Sequence, residues 1–298
     1  MKTGFRYCLL ATMVGIMLAA ANVASAATDQ STDAALWTRI QHNLFGDRQM
    51  QAAPEHIIAL DAPQRAQDAA LVPLAIHVGI AQKPDHYIKT IWLIIDRNPS
   101  PIAGIFHFTP ASGRADIDTR VRVDAYTNIH AIAELSDGSL YVAKRYVKAS
   151  GGCSAPAGTE RAVALRNLGK MKFRLLEPRA TFNQPNQVLL MVSHPNDSGL
   201  AMNQLTHYAI PPYYVHKIAV TYSGKPILTA DVNFSISENP NFRFYFTPHA
   251  NGALKAEVFD TKGKQFNDEL VIASDGSPSG AASGNAAAIR SSPDAAAK

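Results

Sequence analysis

Residues 115–123 read ADIDTRVRV, and this stretch decides the fold class of the chain. Small, aliphatic and β-branched residues occupy its odd positions, and charged residues occupy its even positions. A period of two is that of a β-strand with one buried face, because successive side chains of a strand point to opposite sides of the sheet. The stretch therefore predicts a strand that covers a hydrophobic core.

Other parts of the chain carry the same signal in shorter form. Turn residues such as Asp137-Gly138 and Ser223-Gly224-Lys225-Pro226 separate the apolar or alternating runs. One amphipathic helix is predicted over 33–45, between a capping Thr32 and a terminating Gly46. Many short strands with little helix predict an all-β fold built of antiparallel sandwiches. The predicted strands include 72–78, 91–95, 104–109, 129–135, 140–148, 188–192, 214–220, 227–236, 242–246 and 266–272.

Composition divides the chain into five parts. Residues 1–26 have a positive start, an apolar stretch and a small-residue cleavage site, which predicts a secretory signal peptide and an exported protein. Residues 27–148 form a first β-sandwich domain with the helix, 149–169 a flexible arm, and 170–273 a second sandwich. Residues 274–298 are rich in Ala, Gly, Ser and Pro, which predicts a disordered tail.

Charge and motif content exclude several function classes. Hydrophobic residues make up 47% and charged residues 17% of the 298 residues, with a net charge of +4 and no basic run, so no nucleic-acid partner is expected. No segment after the leader has about 18 consecutive apolar residues, so no membrane span is expected. Nucleotide-binding, nucleophile-elbow and haem-attachment motifs are missing, and the histidines lack metal-ligand spacing. No cofactor, metal or catalytic residue is therefore predicted.

Cys153 is the candidate functional residue. The chain has two cysteines, and the other, Cys8, lies in the predicted leader. Cys153 follows Gly151 and Gly152 in a segment of Ala, Ser, Gly and Pro, a composition typical of a flexible linker. We therefore expect the thiol to point outward on a mobile arm, with Lys144, Arg145 and Lys148 favouring the thiolate. An incidental linker cysteine is the alternative interpretation.

Both halves resemble the SoxY and SoxZ proteins of bacterial sulfur oxidation, joined in one chain. The first half ends in Gly151-Gly152-Cys153, where SoxY ends in a Gly-Gly-Cys-Gly-Gly arm. The fusion also resembles the SoxYZ-like carriers associated with quinoprotein dehydrogenases. The motifs that carry the likeness are Leu71-Val72-Pro73, Asp96-Arg97-Asn98-Pro99-Ser100-Pro101, Phe106-His107-Phe108-Thr109-Pro110, Glu134-Leu135-Ser136-Asp137-Gly138, Ser193-His194-Pro195, Ser237-Glu238-Asn239-Pro240 and Phe244-Tyr245-Phe246.

The resemblance implies two immunoglobulin-like sandwiches and a periplasmic carrier that is not an enzyme. It implies that Cys153 holds sulfur intermediates covalently and that Gly151 and Gly152 give the arm its flexibility. This chain departs from the family at the arm, because Ser154-Ala155 follows the cysteine and the arm continues into the second domain.

Three hypotheses follow. In the first, Cys153 carries sulfur groups between periplasmic sulfur-oxidising enzymes. In the second, the protein is a periplasmic adaptor for a quinoprotein dehydrogenase system, and the thiol is dispensable. In the third, two copies form a homodimer linked through Cys153.

Overall fold

A computed structural model describes residues 32–156, 158, 161–204 and 206–280. The predicted signal peptide lies outside the described residues. The chain divides into two compact units, residues 1–48 and 49–298. In the described part of the first unit, helix α1 covers residues 32–45, which confirms the predicted helix, and Gly46 follows with a φ of +59°. No helix of the described ranges is long and apolar enough to cross a membrane.

In the described part of the second unit, nearly all of the regular secondary structure is β-strand, as the alternating sequence predicts. Its short helical elements are the 3-10 helix η1 (Pro110–Ser112) and the helix α2 (Arg161–Arg166). Its strands are β1 (Met50–Ala52), β2 (Ile58–Asp61), β3 (Val72–Val78), β4 (Ile88–Ile95), β5 (Ile102–Phe108), β6 (Ile117–Val121), β7 (Thr127–Leu135), β8 (Leu140–Val147), β9 (Met171–Leu175), β10 (Asn186–Val192), β11 (Val215–Tyr222), β12 (Lys225–Val232), β13 (Asn241–Phe246), β14 (Gly252–Asp260), β15 (Gln265–Ile272) and β16 (Pro278–Gly280).

The strands form two sheets, and each half of the chain contributes to both. The larger sheet has the order β1-β8-β7-β4-β5-β12-β11-β14-β15-β16, and the smaller has the order β2-β3-β6-β13-β10-β9. In both orders the strands of the first half come before those of the second. Each half is thus an immunoglobulin-like sandwich, and the two sandwiches lie side by side with both layers continuous.

Two antiparallel pairings join the halves. Strand β5 pairs with β12 from Gly104 to Phe108, and β6 pairs with β13 at Asp118 and Arg243. The apolar faces of both sheets enclose one hydrophobic core that contains residues of both halves. Within it, the ring of Phe106 lies edge-on to the ring of Phe242, with 6.2 Å between the centroids.

Local sequence patterns predict most of these elements correctly. The odd positions of the opening stretch are buried, and its centre forms β6. The turns at Gly138 and Gly224 have positive φ and join β7 to β8 and β11 to β12. The prediction of a disordered tail is wrong for residues 274–280, because a turn is followed by β16, which pairs with β15. Residues 281–298 lie outside the described residues.

Continuous sheets predict that the two halves unfold together. Phe242 lies in the second half and is 2% exposed, so Phe242→Ala should cost about 3–5 kcal/mol of unfolding free energy. Trp92 lies in β4 of the first half, and in a Trp37→Phe background it is the only tryptophan. Urea unfolding followed by Trp92 fluorescence should shift to lower urea in Phe242→Ala.

The matched control is Tyr208→Ala, since Tyr208 is also an aromatic residue of the second half but is 78% exposed. It should leave the Trp92 transition unchanged. An unshifted Trp92 transition in Phe242→Ala would show that the two halves unfold independently.

Candidate functional site

Cys153 lies in a loop that is fixed to the first half by backbone hydrogen bonds. We call residues 149–156 the Cys153 loop. The N–H of Gly151 donates to the Asp124 carbonyl at 2.8 Å, and the N–H of Gly152 donates to the Val123 carbonyl at 3.0 Å. The N–H of Cys153 donates to Oδ1 of Asp124 at 3.3 Å. Three successive amides are therefore bound to the chain that leaves β6.

The loop requires both glycines, Gly151 for its backbone conformation and Gly152 for close packing. Gly151 has a φ of +78°, in the left-handed region that favours glycine. A Cβ atom on Gly152 would overlap the backbone carbonyls of Ala69 and Val123. The loop therefore approaches its neighbours as closely as only glycine permits, and Gly152 gives close contact where the sequence suggested flexibility.

The second half closes the loop from the other side. The hydroxyl of Ser198 donates to the carbonyl of Cys153. Further along, the N–H of Gly158 donates to Oε2 of Glu238 at 3.0 Å. Ser198 and Glu238 belong to the segments that follow β10 and β12, so the Cys153 loop lies between the two sandwiches.

The expectation of an exposed thiol on a flexible arm is wrong for this structure. Cys153 has 0% exposure and is unpaired. Its loop is bound by both halves, and the predicted linker continues into helix α2. Composition suggested flexibility because the loop has few side chains of its own, but its backbone finds partners on neighbouring segments. An intermolecular disulfide through Cys153 would first require the loop to open.

A buried network fixes the segment that carries Ser198. The ring of His194 packs edge-on against Tyr213 at 4.6 Å, and its Nδ1 accepts the N–H of Asn196 at 3.0 Å. The Tyr213 hydroxyl donates to Asp260 at 2.7 Å. His194 Nε2 is 3.6 Å from the same carboxylate, which is beyond hydrogen-bond distance and leaves that nitrogen without a partner. Residues 193–198 are thus positioned by the core of the second half.

Arg122 contacts three segments that meet beside Cys153. Its side chain is nearly buried, with 3% exposure. The Nη1 group donates to the carbonyl of Gly152 and the Nη2 group to the carbonyl of Asn196, both at 3.3 Å. The backbone N–H of Arg122 donates to the Ser235 carbonyl at 2.7 Å. One residue therefore contacts the Cys153 loop, the 193–198 segment and the segment after β12.

Burial makes the Cys153 thiol a weak acid. Desolvation, with a smaller contribution from the negative charge of Asp124, raises the pKa of Cys153 to about 12. Arg122 acts in the opposite direction and lowers it. The expectation that Lys144, Arg145 and Lys148 favour the thiolate is therefore wrong. Arg145, for example, donates to the carbonyl of Leu60 at 2.9 Å.

The histidines do not assemble into a metal site. Among the residues that the structure describes, no group of three or more His, Cys, Asp or Glu side chains could hold a metal ion. The ring of His194 packs against Tyr213 and its Nδ1 accepts the N–H of Asn196, and His249 Nδ1 is 2.9 Å from Oδ1 of Asn183.

Sequence reasoning identified Cys153, Gly151 and Gly152, and the structure brings these three together. The sequence analysis did not identify the residues that surround this loop, which are Arg122, Asp124, Ser198 and Glu238. Arg122 was visible only as a charged position of an alternating strand. The two motifs Ser193-His194-Pro195 and Ser237-Glu238-Asn239-Pro240 lie in or next to the segments that close the loop. The family resemblance therefore pointed to these residues, but the sequence did not show that they lie close to Cys153.

Two family models match the chain in succession. The model of sulfur oxidation protein SoxY matches residues 41–153, and that of sulphur oxidation protein SoxZ matches residues 174–271. The first match ends on Cys153. The chain therefore belongs to these two families and is a fusion of a SoxY domain with a SoxZ domain. No curated protein sequence matches it.

Three solved structures to which the chain is similar have low sequence identity and low TM-scores. A superoxide reductase (neelaredoxin) from Ignicoccus hospitalis is 19% identical, with a TM-score of 0.29 over 31% of this chain and 80% of that one. A putative superoxide reductase from Thermotoga maritima is 15% identical, with a TM-score of 0.29 over 35% and 95%. A family 2 glycosyl hydrolase from Bacteroides cellulosilyticus is 8% identical, with a TM-score of 0.21 over 68% and 24%. Scores this low carry no argument about function.

The raised pKa of Cys153 predicts a loss of stability in alkali. Below about pH 8.5 the thiol keeps its proton in both the folded and the unfolded chain. Above that pH the unfolded chain ionises while the folded protein does not, so the free energy of unfolding falls as pH rises, by at most about 1.4 kcal/mol per pH unit. Urea unfolding of the wild type and of Cys153→Ala between about pH 8 and 10 should show a steeper decline in the wild type.

Tyr213, Tyr222 and Tyr245 also have raised pKa values through burial, but they are present in both proteins, so the comparison cancels their effect. Equal slopes in the two proteins would show that the folded protein does not enclose the thiol.

Proposed function

We propose that this protein is a periplasmic carrier in sulfur oxidation and that Cys153 holds the carried sulfur group covalently. One observation supports the proposal most strongly. The single cysteine outside the predicted leader lies where the SoxY domain ends, and both domains donate hydrogen bonds to its loop or accept them from it. A site that both domains build gives a reason for their fusion.

The buried thiol represents a closed, resting state of the carrier. An exposed free thiol in an oxidising compartment is easily damaged, and burial with a raised pKa suppresses that chemistry. Loading requires the loop to open. Opening breaks a small set of hydrogen bonds, which are those of the three amides of residues 151–153, that from Arg122 and that from Ser198. Each has a typical net value of about 1 kcal/mol, so opening costs less than unfolding of the two sandwiches.

The chemistry of loading can be written without an external oxidant when the donor is a polythionate. The Cys153 thiol loses its proton to solvent, and the thiolate attacks one inner sulfur of tetrathionate. A new S–S bond forms, the central S–S bond of tetrathionate breaks, and thiosulfate leaves with the electron pair. Cys153 then carries a negatively charged S–S–SO3 group, and partner sulfur-oxidation enzymes would act on it.

Burial of the thiol also favours a second candidate function. A cysteine that is enclosed in the resting state is compatible with the adaptor hypothesis, in which the two sandwiches bind a quinoprotein dehydrogenase system and the thiol has no chemical role. This candidate predicts that Cys153→Ser keeps full function in cells, whereas the carrier proposal predicts complete loss.

The loading reaction itself provides the biochemical test. Folded protein without the leader is incubated with tetrathionate, and intact mass is followed over time. The wild type should gain one S2O3 group, and Cys153→Ala should gain none. Ser198→Ala removes the hydroxyl that closes the loop and should load about fivefold faster, as expected for the loss of one net hydrogen bond.

Ser112→Ala is the matched control. Ser112 is buried like Ser198, but its hydroxyl donates to the backbone carbonyl of Thr109, outside the loop. Ser112→Ala should therefore load at the rate of the wild type. Wild-type protein that loads in urea but never in the folded state would refute the carrier proposal, since the thiol would then be reactive but inaccessible.

A further inference from the structure

Arg122 is a buried cation whose hydrogen-bonding capacity is only partly used. Its two Nη groups have long contacts of 3.3 Å to backbone carbonyls, and its Nε has no hydrogen-bond partner. Among the described residues, no carboxylate oxygen is paired with its guanidinium within 4.0 Å. A buried charge without a close counter-ion loses its hydration without full compensation, so such an arrangement requires an explanation.

The position of Arg122 supplies one. Its Nη1 contacts the carbonyl of Gly152, which directly precedes Cys153. Its charge is one of the two that act on the Cys153 thiol, the other being that of Asp124. Burial lowers the pKa of Arg122 even though Glu238, Cys153, Asp197 and Asp68 act to raise it, so the surrounding acids do not fully compensate its desolvation. An arginine nevertheless stays protonated at any physiological pH.

We propose that Arg122 is the internal counter-ion for a negatively charged group on Cys153, so that the site retains oxoanionic sulfur groups in preference to uncharged ones. This inference rests on the proposed carrier function and specifies its cargo class. The unpartnered Nε and the weakly engaged Nη groups can donate to two oxygens of a tetrahedral sulfonate, which accepts hydrogen bonds from a guanidinium fork as other oxoanions do. The Cys153 loop must shift to admit the group, while Arg122 stays anchored at its backbone by Ser235.

Two adducts that differ in charge test the proposal. Tetrathionate leaves the anionic S–S–SO3 group on Cys153, as described above. Methyl methanethiosulfonate leaves an uncharged S–S–CH3 group, because the thiolate attacks its sulfenyl sulfur and methanesulfinate departs with the electron pair. Each loaded protein is exposed to dithiothreitol, and intact mass gives the rate at which each adduct is lost.

Arg122→Gln should release the anionic adduct about tenfold faster than the wild type does, the effect of losing one charge-assisted hydrogen bond. Release of the methylthio adduct should change less than about twofold, within the variation of a neutral contact. Arg122→Lys keeps the charge, so its release rate for the anionic adduct should lie closer to the wild-type rate than that of Arg122→Gln does. Arg243→Gln removes an equal charge from the neighbouring strand β13, where Arg243 pairs with Asp118, and should alter neither rate.

Equal acceleration of both adducts in Arg122→Gln would overturn the inference, because Arg122 would then only hold the loop in place. Unchanged release of the anionic adduct would overturn it as well. A wild type that forms neither adduct in the folded state would instead reject the carrier function, and this inference with it.

A measurement on wild-type protein keeps the inference testable if Arg122→Gln does not fold. Pairing the buried guanidinium with an anion should stabilise the folded state, so the protein loaded with S–S–SO3 should melt at a higher temperature than the protein loaded with S–S–CH3. Equal or reversed melting temperatures would contradict the pairing.

Discussion

Backbone pairing between β6 and β13 is the constraint on which the site depends. It places the end of a first-half strand against the second half, so that the chain beyond Val121 enters the junction between the sandwiches. There the N–H of Arg122 donates to Ser235, and the N–H of Ser237 donates to the Arg120 carbonyl at 3.0 Å. The carbonyls of Val123 and Asp124 are then free to accept hydrogen bonds from the Cys153 loop. Without the junction there would be no fixed surface for that loop.

In the proposed carrier, storing the thiol in this way separates protection from reactivity. The closed loop keeps Cys153 buried and raises its pKa, and the hydrogen bonds that hold the loop are few compared with the ladders of the surrounding sheets. The fusion of the SoxY and SoxZ domains strengthens this arrangement, because a covalent link keeps Ser198 and Glu238 at a high effective concentration beside the loop. The same link anchors the loop at both ends, and it would limit the displacement of Cys153 when the loop opens for loading.

The sequence predicted the fold well because the signals for strands and turns are local. Alternation in residues 115–123 and the turn at Asp137-Gly138 depend only on neighbouring residues, and the structure confirms both. The sequence did not predict that the sheets of the two sandwiches are continuous. Strand pairing such as that of β5 with β12 brings together residues more than a hundred positions apart, and local patterns carry no signal for it. The role of Cys153 as the functional residue stays a prediction, and the expected environment of that residue was wrong. Gly152 suggested mobility but in fact serves close packing against the backbone of its neighbours, and the burial of Cys153 arises from Ser198 and the 121–124 segment, which local composition does not report.

Native-state hydrogen exchange of Gly151 and Gly152 tests the closed but openable loop most directly. In a closed but openable loop, both amides are protected, yet they exchange with an opening free energy well below that of the central strand β4, which reports global unfolding. Exchange as fast as in an unstructured peptide would contradict the closed state. Exchange only through global unfolding would show that the loop does not open in the folded protein, and Cys153 could then not serve as a carrier.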